Sequence, residues 1–142
     1  MYDIKHILHS NGAYVTSSDY GKDENGDYIV LDLCDGKQCK WQGRFIVRAD
    51  FVNYDPHTPN QCFDLYLQGG SDAAFTLTAT LAHIEIGPAA CNVSNQQFGV
   101  GFYEMLCQNV YKGVIYPYVR VYAVLAGTSP RIIYRANLGK LY

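Results

Sequence analysis

Residues 44–52 alternate between apolar and polar side chains, and this alternation limits the fold more than any other feature of the sequence. Side chains on an extended strand point to opposite faces in turn, so a period of two indicates a sheet with one buried face. The segment is therefore predicted to be a β-strand. One face would carry Phe45, Val47, Ala49 and Phe51, and the other Arg44, Ile46, Arg48 and Asp50.

Further segments of this kind follow along the chain, separated by turn signals rich in Gly, Pro, Asn and Asp. Tyrosine, present 13 times, suits half-buried strands. No alternation of strands and helices is visible, which argues against a parallel, doubly wound sheet. We predict an all-β fold, a single-domain antiparallel β-sandwich of the jelly-roll type. Besides 44–52, the predicted strands are 28–33, 62–68, 75–81, 83–88, 104–110, 118–125 and 131–138.

The chain has the size and composition of one domain. It has 142 residues, of which 49% are hydrophobic and 17% charged, so it is able to bury a core. We treat residues 1–142 as a single unit. Residues 1–27 are polar and rich in turn signals, and we expect them to form an N-terminal arm.

Charge and hydropathy argue against several classes of partner. The net charge is −2, whereas a nucleic-acid-binding surface is basic. No apolar run approaches the roughly 20 residues of a membrane helix. The N-terminus lacks a basic region followed by an apolar stretch, so we expect no export signal.

The sequence has five cysteines, an odd number, and no export signal is expected. Both points argue against a framework in which every cysteine forms a disulfide. A hairpin disulfide between Cys34 and Cys39 is sterically possible, but we expect free thiols there. Cys62, Cys91 and Cys107 are expected to be small buried hydrophobic residues. No second close pair of Cys or His has the spacing of a structural zinc site.

The sequence contains no recognisable catalytic motif. The nearest approach to a metal-binding jelly-roll enzyme is His83 with Glu85, but the His-x-His pair of cupins is missing. We therefore predict no enzyme activity, no catalytic residue, no cofactor and no metal, and keep a metal-dependent jelly-roll enzyme as a minor alternative.

A tyrosine-rich C-terminal half is the main candidate for an interface. Tyrosine is favoured at contact surfaces because it offers a large area with few torsions to freeze. Packing of ordinary strands explains the same residues equally well. The candidates are Tyr116, Tyr118, Tyr122, Tyr134 and Tyr142, with Tyr111 beside them.

Four sequence blocks, in this order, resemble a known family. They are Tyr-Val-Thr-Ser-Ser at 14–18, Tyr-Ile-Val-Leu-Asp-Leu at 28–33, Asp-Leu-Tyr-Leu-Gln-Gly-Gly-Ser-Asp at 64–72 followed by Phe75, and the strand and Gly-Thr-Ser-Pro turn at 118–130. The chain resembles the small jelly-roll cement, or decoration, proteins on the capsids of short-tailed bacteriophages. The five cysteines, the acidic segment 19–27 and the tyrosine-rich end depart from that family.

The resemblance implies a structural virion protein without catalytic residues. Such a protein binds the outer surface of the major capsid shell, commonly as a symmetric homo-oligomer, here a dimer or trimer. It implies a place on the capsid surface after assembly in the host cytoplasm, with no nucleic-acid or membrane partner. The termini are our candidates for the contacting arms.

A different function stays open beside this one. The chain is alternatively a carbohydrate- or receptor-binding head domain of a phage tail fibre. Trp41 and the loop Tyr54-Asp55-Pro56-His57 offer a mixture of aromatic and polar groups for a sugar. Core packing of the single Trp41 is the simpler explanation of that residue.

Overall fold

A computed structural model of the chain describes residues 6–53, 55–87 and 100–140. Alternating burial appears in the long central strands, as in β10, where Val119, Val121 and Ala123 are fully buried. No α-helix occurs among the described residues. The strands are β1 (Ile7–His9), β2 (Asp19–Tyr20), β3 (Leu31–Asp32), β4 (Gln42–Val52), β5 (Cys62–Gly70), β6 (Thr78–Ile86), β7 (Gly101–Gln108), β8 (Val110–Tyr111), β9 (Val114–Ile115), β10 (Tyr118–Ala126) and β11 (Ile132–Lys140).

The strands form two antiparallel sheets and a small hairpin. Sheet A has the order β1-β11-β4-β7, and sheet B has the order β2-β10-β5-β6, with β3 also pairing β10. Strands β8 and β9 pair with each other and with no other strand in the described part of the chain. The predicted all-β fold, an antiparallel β-sandwich, is confirmed.

The core lies between the two sheets and takes the inward side chains of both. Burying a Val, Leu or Phe side chain of this core contributes about 1.5–3 kcal/mol. Fully buried members are Leu8, Phe45, Val47, Ala136 and Leu138 from sheet A, and Leu65, Val119, Val121 and Ala123 from sheet B.

The predicted strand 28–33 is wrong in its extent. Only Leu31 and Asp32 pair with β10. The carboxylate of Asp32 then accepts hydrogen bonds from the backbone N–H groups of Cys34 (3.0 Å) and Gly36 (2.7 Å). An aspartate that bonds the backbone two residues on favours a turn over a continuing strand.

The two predicted strands 75–81 and 83–88 are likewise wrong in their bounds, since a single strand, β6, replaces them. Asp72 holds the preceding loop, because its carboxylate accepts from the N–H groups of Ala74 and Thr76 and from the Thr76 hydroxyl. Phe75 has a φ of 55°, which is left-handed and ends any strand there. A β-bulge in β6 then changes the alternation opposite Leu67 and Gln68.

The region predicted as an N-terminal arm contributes a strand to each sheet within its described residues. Strand β1 pairs with β11, and β2 pairs with β10. Leu8 of β1 is fully buried. Residues 6–27 are thus part of the sandwich.

The prediction of free thiols at Cys34 and Cys39 is wrong. These residues form a disulfide with their Cα atoms 5.5 Å apart. Asp35 and Gly36, both with positive φ, close the loop that brings the two sulfurs together. Cys62 is also disulfide-bonded, so it is not the small buried hydrophobic residue that we expected. Among the described residues only Cys107 is free, and it is half-buried; Cys91 lies outside them.

Candidate binding surfaces

The structure separates the predicted interface tyrosines into buried and outward-facing ones. Tyr134 is 1% exposed and Tyr116 7% exposed, so both are interior residues. Tyr118 and Tyr122 of β10 are half-buried and point away from the core, opposite in phase to Val119 and Val121. Tyr142 lies outside the described residues. Tyr111 is 44% exposed but lies in the separate β8–β9 hairpin. Of the candidates in the two large sheets, Tyr118 and Tyr122 of β10 remain on the outer side of sheet B.

The outer side of sheet B, which we call the B face, includes three adjacent rows of side chains that run across neighbouring strands. Pairing register aligns the residues of each row. Adjacent rows lie two residues, or about 7 Å, apart along the strands. The rows are Arg120, Gln68 and Thr80; Tyr20, Tyr122, Tyr66 and His83; and Val124, Asp64 and Glu85.

The central row is aromatic from one edge of the sheet to the other. The rings of Tyr20 and Tyr122 have centroids 4.7 Å apart, and Tyr66 stacks on His83 at 4.2 Å. All four side chains are half-buried. The hydroxyls of the three tyrosines have no hydrogen-bond partner in the part of the chain that the structure describes. The row therefore presents a line of polar aromatic groups.

Arg120 lies between two aromatic rings in the next row. Its guanidinium carbon is 3.8 Å from the centroid of Tyr20 and 3.9 Å from that of Phe75. Its Nε donates to the side-chain oxygen of Gln68 at 2.6 Å. Stacking on both faces together with this hydrogen bond fixes the plane of the guanidinium.

Asp64, His83 and Glu85 form the one group of metal-ligating side chains found among the described residues, with ligand atoms within 4.8 Å of one another. His83 Nε2 lies 2.8 Å from Asp64, and Nδ1 lies 3.5 Å from Glu85. The distance between His83 Nε2 and Asp64 is that of a hydrogen bond, so these two side chains are hydrogen-bonded in the structure. Burial, with the two carboxylates nearby, raises the pKa of the adjacent Tyr66.

A second surface lies at the β7 end of sheet A, where strand β7 pairs with β4 and with no other strand among residues 6–53, 55–87 and 100–140. Phe102 and Leu106 are each 65% exposed, and Met105 is 42% exposed. An exposed strand edge with apolar side chains is a site for pairing with another chain. We call these three residues and the free backbone of β7 the β7 edge.

Arginines lie beside the β7 edge on the outer side of sheet A. Arg48 is opposite Phe102, and Arg44 is opposite Leu106. Arg44 contacts Glu104 at 3.3 Å in an exposed ion pair, which contributes little to stability. The mixture of aromatic, Met and Arg side chains is the composition found at the centre of protein interfaces.

Arg48 also faces Arg135 of β11 directly across the sheet. Two like charges in this position destabilise a pair of strands, and Asp50 relieves the repulsion. Its carboxylate lies 2.8 Å from Arg48 Nε and 3.7 Å from Arg135 Nε. A cavity of about 320 Å³ opens beside these arginines.

The sugar platform expected at Trp41 has no support in the structure. Trp41 is half-buried and packs against the hydrophobic core. Its ring covers Gly43, where a Cβ atom would overlap it. Tyr54 lies outside the described residues. The residues that do form an aromatic surface, Tyr20 and Tyr66 among them, were missed because a surface built from four strands depends on pairings between segments far apart in sequence.

Comparison of the chain with models of protein families, with curated proteins and with solved structures finds no match. Among the described residues, no helix has the length and apolar character required to cross a membrane.

Proposed function

We propose that the chain is a structural virion protein without catalytic activity, which binds the outer surface of the major capsid shell and stabilises it. The observation that carries the proposal is the β7 edge, because β7 pairs with β4 on one side, has no second partner strand among the described residues, and carries Phe102 and Leu106, each 65% exposed. Folded proteins generally cover or interrupt such edges, because open edges lead to association with other chains. A strand edge that the described residues leave uncovered, with apolar side chains on it, is suited to binding another protein.

The strand order supports the jelly-roll form of the sandwich. The late strands β10 and β11 are each inserted between an early strand and a middle strand, in sheets B and A respectively. Strands from near the two ends of the chain are therefore hydrogen-bonded to each other in both sheets. A body closed in this way is suited to holding an edge strand rigidly against a large surface.

The disulfides also support a place on the surface of a particle. Disulfides persist in oxidising surroundings, which include the surfaces of virions. Cys34–Cys39 closes an exposed loop, and Cys62 is bonded too. The resemblance of the four sequence blocks to cement proteins points to the same role.

Binding only to the assembled shell stabilises it by mass action. Many copies on repeated sites convert a modest contact into a stiff layer through multivalency. We propose a dimer or trimer as the binding unit, since linked copies raise the effective concentration of each contact.

In direct antiparallel pairing of two β7 strands, the register that matches Phe102 with Leu106 places Glu104 opposite Glu104. This repulsion disfavours self-pairing of β7 in that register.

The test is co-sedimentation of the purified chain with shells assembled from the major capsid protein encoded in the same genome. We expect the chain to sediment at a fixed ratio to the capsid protein. The double variant Phe102→Ser, Leu106→Ser should lose at least tenfold in affinity, because it removes the exposed apolar groups. Leu77→Ser is the matched control, since Leu77 is 62% exposed but lies in a loop outside β7. A chain that stays in the supernatant, or a double variant that binds as the control does, would contradict the proposal.

The second candidate function is that of a carbohydrate- or receptor-binding head. The aromatic row of the B face favours it, because half-buried tyrosines with unbonded hydroxyls suit the mixed polar and apolar surface of a sugar. The two functions use opposite sheets of the sandwich.

A further inference from the structure

Arg120 differs from the arginines of sheet A in lacking an acidic partner. Arg44, Arg48 and Arg135 each contact a carboxylate. Arg120 is half-buried, and its side chain makes one hydrogen bond to the described residues, from Nε to Gln68. Its two terminal nitrogens thus keep their donors free within the described part of the chain.

These free donors are held in a fixed position. Tyr20 covers one side of the guanidinium and Phe75 the other, both at less than 4 Å from ring centroid to carbon. A guanidinium presents its terminal N–H groups as a planar fork that matches a carboxylate with two parallel hydrogen bonds. Because the protein has already ordered the side chain, a ligand need not do so.

The surroundings of Arg120 suit a saccharide better than a protein. Of the large hydrophobic side chains that are exposed in the described residues, none belongs to β2, β5, β6 or β10. A protein interface needs an apolar centre, and the β7 edge on the other sheet offers one. The B face offers instead the hydroxyls of Tyr20, Tyr122 and Tyr66 one row away from Arg120.

We propose that the B face binds an acidic oligosaccharide, with Arg120 holding the carboxylate of a terminal sugar acid and the tyrosine row contacting the neighbouring sugars. This does not depend on shell binding, because it uses the other sheet; it rests on the carbohydrate-binding function named above as the second candidate and specifies its ligand. Asp64 and Glu85 lie in the far row, four residues along β5 from Gln68 and so about 13 Å away. They accept hydrogen bonds from neutral sugars and repel a second carboxylate. The site therefore prefers one terminal acid followed by neutral sugars over a polyuronate.

The test is calorimetric titration of the full chain with 3′-sialyllactose, lactose and tri-galacturonate as probes. We expect sialyllactose to bind at least tenfold more tightly than either of the others. Arg120→Gln should lose at least tenfold in affinity, and Arg120→Lys should recover only part of it, because an ammonium lacks the planar fork. Arg131→Gln is the matched control, since Arg131 also lies against two aromatic rings without a carboxylate and should bind as the unchanged chain does.

Arg120 also holds Phe75 in place, so its variants are checked for folding by circular dichroism. Tyr122→Phe removes only a hydroxyl and should weaken sialyllactose binding several-fold in a folded chain. Equal binding of lactose and sialyllactose, no binding of sialyllactose at millimolar concentration, or tighter binding of an acidic peptide would each overturn the proposal. Loss of saccharide binding with intact shell co-sedimentation would remove this proposal alone.

Discussion

The ring of Phe75 lies directly on the backbone of Gly70, on the same outer side of sheet B as Arg120. A Cβ atom on residue 70 would overlap three carbons of that ring. Phe75 is only 7% exposed, although it belongs to a loop. The missing side chain at Gly70 is therefore what allows the loop to close over the end of β5 and to cover one side of Arg120.

Replacing Gly70 should destabilise the chain through this contact. We expect Gly70→Ala to lower the free energy of unfolding by about 1–3 kcal/mol, because the Phe75 ring must move out of its position. Urea denaturation measures the difference. Gly12→Ala is the matched control, since a Cβ there meets nothing within 4 Å, and it should change stability by less than about 0.5 kcal/mol. Equal effects of the two variants would contradict the expectation.

Acidification should destabilise the fold through His9. Burial lowers the pKa of His9 from 6.5 to about 4. Nδ1 accepts a hydrogen bond from the N–H of Lys22, and the ring stacks on Tyr134 at 4.1 Å. Because the folded pKa lies below the unfolded one, the unfolded chain binds the proton first. The free energy of unfolding should fall by about 3 kcal/mol on this account as the pH drops from about 6.5 to about 4.

His9→Gln removes this titration. Over that pH range its free energy of unfolding should therefore fall by about 3 kcal/mol less than that of the unchanged chain. Urea denaturation at pH 7, 5.5 and 4 gives the comparison. His57→Gln, in an exposed loop, should follow the unchanged chain. If His9→Gln and His57→Gln lost stability in parallel, His9 would not be the titrating group.

The Cys34–Cys39 disulfide should make a modest contribution to the stability of the fold. Closing a loop of about six residues stabilises by about 2 kcal/mol in the chain-entropy model, so Cys34→Ala, Cys39→Ala should lower the free energy of unfolding by that amount. Alkylation of the unfolded chain without a reductant should leave Cys34 and Cys39 unlabelled. Cys107 is the internal control, because it is free and should be labelled. Labelling of all three would show that the disulfide is absent.

Asn109 should be among the most sensitive polar positions. It is fully buried, and its side chain accepts from the Trp41 N–H and donates to the Cys39 carbonyl, both at 2.8 Å. Asn109→Ala leaves these two backbone groups without partners and should cost about 2–4 kcal/mol. Asn25→Ala, at an exposed turn, should stay within about 0.5 kcal/mol of the unchanged chain. An equally small effect of Asn109→Ala would contradict the expectation and would mean that water takes over the two hydrogen bonds of the Asn109 amide.

The sequence predicted the long strands well because their alternation is local information. Phe45, Val47 and Ala49 point inward as predicted, whereas Phe51 is only half-buried. The cause is a β-bulge where Ile133 pairs with Phe51 and Tyr134 with Ala49. A bulge adds one residue to one strand and changes the phase of the alternation, and nothing in residues 44–52 alone reveals it.

The candidate surfaces were less predictable. Ile132, Tyr134 and Ala136 are two residues apart on β11, so all three side chains point to the same, buried side of sheet A. The alternation of the strand alone could therefore have excluded Tyr134 from the interface candidates. The row from Tyr20 to His83 depends on pairings between segments up to about a hundred residues apart, which local patterns do not encode. The Cys34–Cys39 disulfide was missed because an expected reducing compartment outweighed a favourable turn.

Cryo-electron microscopy of the particle assembled from the same genome's capsid protein, in the presence of this chain, tests the central claim most directly. We predict a two-layered β-sandwich on the outer surface of the shell, with Phe102 and Leu106 of β7 in contact with the capsid protein and the B face turned to solvent. A shell without this density, or a bound sandwich whose β7 edge faces solvent, would contradict it.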